Sequence, residues 1–140
     1  MWRAVLDGEQ ATEARARVEA ICASLPPPVD ASLANGAAGY ALLHGERARL
    51  GIAGADEQAF AALESALATI EDLASPWLFA GVAGVGLAMQ LLTDVVGEHD
   101  ETLAQLDDVI RQLLATEPWT LDWEHQAGAV GLGVYGLERG

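Results

Sequence analysis

The residues with the clearest chemical potential lie together near the end of the chain. Asp122 and Glu124 are two carboxylic acids two positions apart, and His125 follows directly. Paired carboxylates carry the acid–base chemistry of enzymes that cleave sugars, and a histidine can line such a site. The sequence makes these three residues candidates for a site, and the alternative is that they are ordinary loop residues.

Tryptophans stand close to the same positions. Trp77, Trp119 and Trp123 all fall in predicted turns that lead into apolar helices. Aromatic rings in such turns can line the mouth of a peptide-binding site, although packing at helix junctions is their commoner use. We treat Trp77, Trp123 and the neighbouring His125 as candidate substrate-binding residues.

The spacing of the potential ligands predicts no metal site. The three histidines are His44, His99 and His125, and Cys22 is the only cysteine. Zinc needs three or four convergent ligands, and nothing in this spacing brings the residues together, so isolated surface histidines are expected. Without lysine the chain has no phosphate loop of the Gly-Lys-Ser type, and the nucleophile motif G-x-S-x-G is absent.

A pair of glycines three residues apart recurs along the chain and sets its organisation. The pairs are Gly36 with Gly39, Gly81 with Gly84, and Gly128 with Gly131. They stand at intervals of 45 and 47 residues, and each opens a run of small and apolar residues. This self-similarity indicates one supersecondary unit that is copied and stacked. Glycine at a helix start allows close packing, or leaves first-turn N–H groups open to an anion such as a thiolate or carboxylate.

Amphipathic helices are predicted between the glycine pairs, because apolar residues recur there at steps of three and four. The three sets are Ala11, Ala14, Val18 and Ile21; Phe60, Leu63, Leu67 and Ile70; and Leu103, Leu106, Ile110 and Leu113. Asp56 and Asp100 are the expected N-caps of the second and third helices, since each is followed by glutamate.

The predicted unit is an outer amphipathic helix followed by an inner, glycine-led helix. Three such hairpins are expected in a single domain over 1–140, at about 8–50, 56–96 and 100–138. Their helices are predicted at about 8–24 with 36–50, 56–73 with 81–96, and 100–116 with 128–138. A helix with one apolar face needs a partner on one side, whereas a helix that is apolar all round needs partners on every side. The predicted fold class is all-α, a partial α/α toroid of about three hairpins.

The charge of the chain restricts its partners. Its formal net charge is −14, and all seven basic residues are arginine. Nucleic acid is excluded because its phosphates would meet a negative surface, whereas a basic peptide is compatible. The apolar stretch 77–96 contains several glycines and Asp94, so a buried helix explains it better than a membrane span. A single cysteine and an N-terminus without an apolar signal core favour the cytoplasm.

At the three glycine pairs the chain resembles the lanthionine synthetase C-like family, the cyclases of lanthipeptide biosynthesis. The matching stretches are 32–39, 78–88 and 123–135, and the resemblance covers nearly the whole chain from about residue 8 onward. It implies an α/α toroid whose inner helices begin with glycine motifs. Family members have seven helical pairs and bind zinc through two cysteines and a histidine of the later pairs, so this chain resembles the N-terminal portion.

The resemblance also implies a chemistry. In the family, zinc activates a peptide cysteine as a thiolate, which adds to a dehydroamino acid to form a thioether ring. An aspartate four residues before the third glycine pair assists with proton transfer, and Glu124 stands at that position here, with Asp122 as a second candidate. No cysteine and histidine of the zinc set are present, so zinc is expected only in a complete family member.

Three functions follow from the sequence. The first is part of a lanthipeptide cyclase that is inactive alone, with a precursor peptide or a chain that completes the toroid as its partner. The second is a non-catalytic helical-repeat module that binds a peptide or protein, or self-associates through an exposed edge. A third, an α/α toroid enzyme acting on sugars through Asp122 and Glu124, ranks behind both.

Overall fold

The computed structural model describes residues 5–116 and 128–140. Throughout these residues the regular structure is helical, and no strand occurs in them, which confirms the all-α fold class. The helices are α1 (Gly8–Ser24), α2 (Ala37–Arg49), α3 (Ala55–Ala68), α4 (Val82–Leu91), α5 (Thr93–Val96), α6 (Asp100–Thr116) and α7 (Ala129–Arg139), and a 3₁₀ turn (Ile70–Asp72) follows α3.

Helix α4 lies at the centre of the hydrophobic core. Every residue from Val82 to Met89 is buried, and the helix contacts α2, α3, α6 and α7. A helix that is apolar on all sides requires neighbours on all sides, and α4 has them. The expectation that the second glycine-led segment is buried is therefore confirmed.

The amphipathic helices α3 and α6 cover this core with their apolar faces. Leu63 of α3 and Leu103, Leu106 and Ile110 of α6 are buried, as their spacing predicts, whereas Phe60 at the start of the α3 set is exposed. Helix α3 packs mainly on α2 and also contacts α4, while α6 packs on α4. Both helices thus rest on glycine-led helices and leave their acidic faces in water.

Helix α1 departs from the prediction. It has the predicted bounds but no buried residue, and Val18 and Ile21 of its supposed apolar face are more than half exposed. Its half-buried residues include Glu19 and Cys22, and Glu19 is paired with Arg47 of α2. The apolar face contains two alanines and is too small to dock the helix, so a polar contact orients it instead.

Three predictions about helix boundaries are wrong. Asp100 was expected as the N-cap of α6 but is the first residue of that helix, and the His99 carbonyl accepts the N–H of Leu103 at 2.9 Å.

The other two concern α3 and the segment 81–96. Helix α3 begins at Ala55 with Gly54 as its N-cap, at φ 74°, so Asp56 lies in the first turn, where its charge still suits the helix dipole. The predicted helix over 81–96 is divided at Leu92 into α4 and α5. The Thr93 hydroxyl donates to the carbonyl of Gln90 at 2.9 Å, a local bond that competes with continuous helix.

Among the described residues, the helices are too short or too polar to cross a lipid bilayer.

Candidate functional site

The three glycine pairs occupy equivalent positions in the backbone. Gly36, Gly81 and Gly128 are the N-cap residues of α2, α4 and α7, with φ of −117°, −142° and −140°. These are extended conformations that any residue can adopt, so backbone strain does not explain the glycines. The glycine-led helices, as we call α2, α4 and α7, therefore share one type of start.

Crowding explains the first glycine of the first two pairs. A Cβ atom on Gly36 would overlap the carbonyl oxygen of Asp30 and the backbone nitrogen of Ser32. A Cβ atom on Gly81 would overlap the carbonyl oxygen of Ser75 and lie 2.6 Å from the nitrogen of Trp77. In both helices the obstructing atoms belong to residues six and four positions earlier, so the loops 30–36 and 75–81 follow the same path. We call these segments the first and second entrance loops.

Each entrance loop returns to the helix that it precedes. The Ala37 N–H donates to the Asp30 carbonyl at 2.8 Å, and the Val82 N–H donates to the Ser75 carbonyl at 2.9 Å. In the first loop the Ala38 N–H also donates, to Ala31 at 3.3 Å. These N–H groups have partners within the chain, so fewer first-turn N–H groups of α2 and α4 are open to an anion than the expected anion-binding floor would use.

The two entrance loops lie side by side. The Ala34 N–H donates to the Phe79 carbonyl at 2.9 Å, which joins the first loop to the second. A Cβ atom on Gly84 would overlap the Leu78 carbonyl and lie 2.8 Å from Cβ of Leu33. The second glycine of the pair thus permits contact between neighbouring repeats, and the starts of α2 and α4 meet at one end of the helical array.

Short polar side chains stabilise the entrance loops. Oδ1 of Asp30 accepts a hydrogen bond from the Ser32 N–H at 2.8 Å, and the Ser75 hydroxyl accepts one from the Trp77 N–H at 3.4 Å. Bonds of this kind hold turns. The sequence analysis missed these residues, although a spacing of six to the following glycine marks them. Asp122 stands six residues before Gly128 and shares that position in the sequence.

Most of the predicted site residues lie outside the described residues. These are the proposed acid–base residues Glu124 and Asp122, together with Trp123 and His125. Trp77 is described: it is half-buried in the second entrance loop, between the buried residues Pro76 and Leu78. The polar side chains of the two entrance loops are Asp30, Ser32, Asn35 and Ser75, of which Ser32 is buried, and Trp77 adds a half-buried ring.

His44 lies in a polar network and is not the isolated surface histidine that was expected. Its Nδ1 is 2.9 Å from Nη1 of Arg47, which also donates to Gln58 of α3 at 2.9 Å. Nη2 of Arg47 bonds Glu19 of α1 at 2.6 Å. Burial, followed by the nearby Arg47 charge, lowers the pKa of His44, and the bond from Arg47 lowers the pKa of Glu19. This network connects α1, α2 and α3.

His99 also differs from a surface histidine. It is half-buried directly before α6, and its Nε2 atom is buried without a hydrogen-bond partner among the described residues. It lines a cleft of about 150 Å³ between α3 and α4. The other residues of this lining are mainly apolar: Phe60, Leu63, Glu64, Leu67 and Met89.

A second polar network joins α6 to α7. The Tyr135 hydroxyl donates to Asp107 at 2.6 Å, and Arg139 donates to the same carboxylate at 2.9 Å and to Gln90 at 3.2 Å. Burial and the bond to Asp107 raise the pKa of Tyr135. Burial acts to raise the pKa of Asp107, but the bonds from Arg139 and Tyr135 outweigh it and lower that pKa. The side chains of Tyr135, Asp107, Arg139 and Gln90 all have hydrogen-bond partners, which is typical of a network that stabilises the fold.

No ligand set for a metal ion assembles in residues 5–116 and 128–140: no three histidine, cysteine, aspartate or glutamate side chains converge there. Cys22 is a free cysteine on α1. These residues do not fit the cysteine and histidine set that the resemblance implies for zinc.

Comparisons of the chain with protein-family models, with curated proteins and with solved structures found no match.

Proposed function

We propose that the chain is part of an α/α toroid of the lanthionine synthetase C-like type. In this arrangement α2, α4 and α7 form the inner layer, and α1, α3 and α6 form the outer layer. The observation that carries the proposal is that all three glycine pairs begin helices at the same backbone position. Contacts of α4 with α2 and α7, and with α3 and α6, are those expected of a middle inner helix.

The proposed role is to hold a dehydrated precursor peptide for thioether ring formation in the cytoplasm, without closing the ring unaided. Trp77 in the second entrance loop is the described candidate for a peptide contact, and Trp123 and His125 are the other proposed peptide-binding residues. Glu124, and after it Asp122, are the proposed acid–base residues. In a complete family member, bound zinc would activate the cysteine of the peptide as a thiolate. A chain that completes the toroid is the proposed second partner.

The test uses a synthetic peptide that carries one cysteine and one dehydroalanine. Ring closure leaves the mass unchanged, so the remaining thiol is labelled with a maleimide and counted by mass spectrometry. With the chain and zinc added, we expect binding of the peptide but thiol loss no faster than without the chain. Accelerated thiol loss would contradict the inactive role, and absence of binding would contradict the scaffold role.

The second candidate function is a helical-repeat module that binds a peptide or protein outside any cyclisation. The described entrance loops favour it, because they contain Asp30 alone among ionisable groups and use it in a turn. A control peptide with serine in place of dehydroalanine separates the two functions. Equal binding of both peptides supports the module, whereas preference for the dehydrated peptide supports the cyclase-type scaffold.

A further inference from the structure

A cleft of about 330 Å³ lies between α1 and the connection from α2 to α3. Its lining is mainly apolar and consists of Ala14, Arg15, Val18 and Glu19 of α1 with Leu50 and Ile52 of the connection. Val18 and Leu50 are 51% and 69% exposed, so apolar surface on both sides of the cleft is in contact with water. A molecule seated in the cleft would remove that surface from water, which favours binding.

The volume of the cleft limits what it can hold. Small-molecule sites in proteins commonly measure about 300–1,000 Å³, and this cleft is at the lower end of that range. Two turns of helix, about 10 Å across and about 11 Å long, would occupy more than twice its volume. The cleft therefore fits a small molecule rather than a helix of a partner protein.

The carboxylate that lines the cleft is already neutralised. Glu19 is paired with Arg47 of α2, with 2.6 Å between Oε2 and Nη2, and the bond from Arg47 lowers the pKa of Glu19. A cationic ligand would have to compete with Arg47 for this carboxylate. The same pair holds α1 beside α2 and so maintains one wall of the cleft.

Arg15 is the charged group of the cleft that is not neutralised. It forms no ion pair among the described residues, although the chain has a net charge of −14. The other arginines of the described residues all have a carboxylate partner: Arg17, Arg47, Arg49, Arg111 and Arg139. A guanidinium beside an apolar cleft matches a ligand that joins an apolar body to a carboxylate, because its planar N–H groups can bind both carboxylate oxygens.

We propose that this cleft binds a small amphiphilic carboxylate, with the carboxylate on Arg15 and the apolar body between Val18 and Leu50. A straight-chain acid of about ten carbons has the chemistry and the size for a site of this volume. Binding covers apolar side chains of α1, which has no buried residue of its own, and fixes α1 against α2. This inference depends on the described packing and not on the proposed peptide function.

The test is isothermal titration calorimetry of the full chain with decanoate at pH 7.5, below the concentration at which decanoate forms micelles. We expect one saturable site that sodium chloride weakens, and greater hydrogen-exchange protection of α1 when decanoate is bound. Decanol has the same apolar body without the charge and should bind at least ~10-fold more weakly. Absence of saturable decanoate binding, or equal affinity for decanoate and decanol, would overturn the proposal.

Two matched variants of α1 locate the site. Arg15→Gln removes the unpaired charge and keeps a polar side chain, so the affinity for decanoate should fall by at least ~10-fold. Arg17→Gln is the control, because Arg17 is exposed on the same helix, is paired with Glu13 and does not line the cleft. Both variants change the net charge equally, and circular dichroism should show unchanged helicity. Equal weakening by the two variants, or full affinity in Arg15→Gln, would refute the assignment to this cleft.

Discussion

At single residues, crowding rather than backbone conformation explains the repeated glycines. Gly36 and Gly81 have extended φ values, yet a carbonyl oxygen from six residues earlier occupies the space where a Cβ atom would lie. The same carbonyl accepts the N–H of the residue after the glycine. The glycine and the loop carbonyl therefore form one structural unit, and the residue that supplies the carbonyl also holds the turn with its side chain.

Substitutions at Asp30 test whether its side chain stabilises the first entrance loop. Replacing Asp30 with alanine removes the bond to the Ser32 N–H, and we expect the free energy of unfolding to fall by about 1 kcal/mol, the usual value for such a local bond. Asp30→Asn keeps an acceptor oxygen in the same position and should retain most of that stability. Urea unfolding of both variants measures the difference. An equal loss in the two would show that the side-chain oxygen has no role in the turn.

At the scale of elements, α1 differs from the other amphipathic helices because polar groups connect it to the rest of the chain. Its largest apolar side chains, Val18 and Ile21, are exposed, whereas Glu19 reaches Arg47, which in turn contacts His44. Contacts of this kind depend on protonation, whereas the apolar packing of α3 and α6 does not. The attachment of helix α1 should therefore depend on pH.

The lowered pKa of His44 predicts how the free energy of unfolding changes with pH. Its pKa is lowered from 6.5 in the folded state, so the unfolded state binds more protons as the pH falls through 6.5. The free energy of unfolding should then decrease from neutral pH downward until the pH reaches the lowered pKa of the folded state. His44→Gln should remove this part of the pH dependence in urea unfolding between pH 7.5 and pH 5.5. An unchanged profile in His44→Gln would contradict the assignment.

At the scale of the whole molecule, α4 lies at the centre of the core, and α7 packs on that core through Tyr135 and Leu132 and is held by one polar network. Tyr135 fills the space beside Gly86, and Asp107 binds both Tyr135 and Arg139. Loss of that carboxylate would leave a buried hydroxyl and an arginine without their shared acceptor. The attachment of the third repeat therefore depends on a small number of groups.

Alanine substitutions at Asp107 and Asp108, two neighbouring residues of α6, test whether the contacts of Asp107 hold α7 or whether any loss of negative charge has the same effect. Asp107→Ala should lower the free energy of unfolding by about 2 kcal/mol and reduce hydrogen-exchange protection in α7, because it leaves buried polar groups unsatisfied. Asp108→Ala removes the same charge but breaks only an exposed pair with Arg111, so about 0.5 kcal/mol or less is expected. Similar effects of the two variants would show that Asp107 does not hold α7.

The sequence predicted the elements well because their signals are local. Spacing of apolar residues identified α3 and α6, and uniform apolarity identified the buried helix α4. The division at Leu92 was not predictable, since no glycine or proline stands there to mark it. The exposure of Val18 was missed because periodicity shows which residues share a face and not whether a partner covers that face.

The candidate site was predicted less completely. The positions of the glycine pairs at helix starts were predicted. The six-residue spacing from Asp30 to Gly36 and from Ser75 to Gly81 was not recognised, because only the structure shows that the carbonyls of Asp30 and Ser75 contact the helix starts. The network of His44 could not be foreseen, since Glu19 and Arg47 are distant in sequence and meet only after α1 turns back on α2. The proposed acid–base residue Glu124 stays a prediction.

The most direct test of the central claim compares alanine at Gly81 with alanine at Gly133 by urea unfolding, at a concentration low enough to keep the chain monomeric. Gly81→Ala should lower the free energy of unfolding by about 2 kcal/mol or more, because the new methyl group overlaps the second entrance loop. Gly133→Ala adds the same group at an open helical position and should raise it by about 0.5–1 kcal/mol. Equal effects at the two positions would contradict the claim that the repeated glycines are required by crowding at equivalent helix starts.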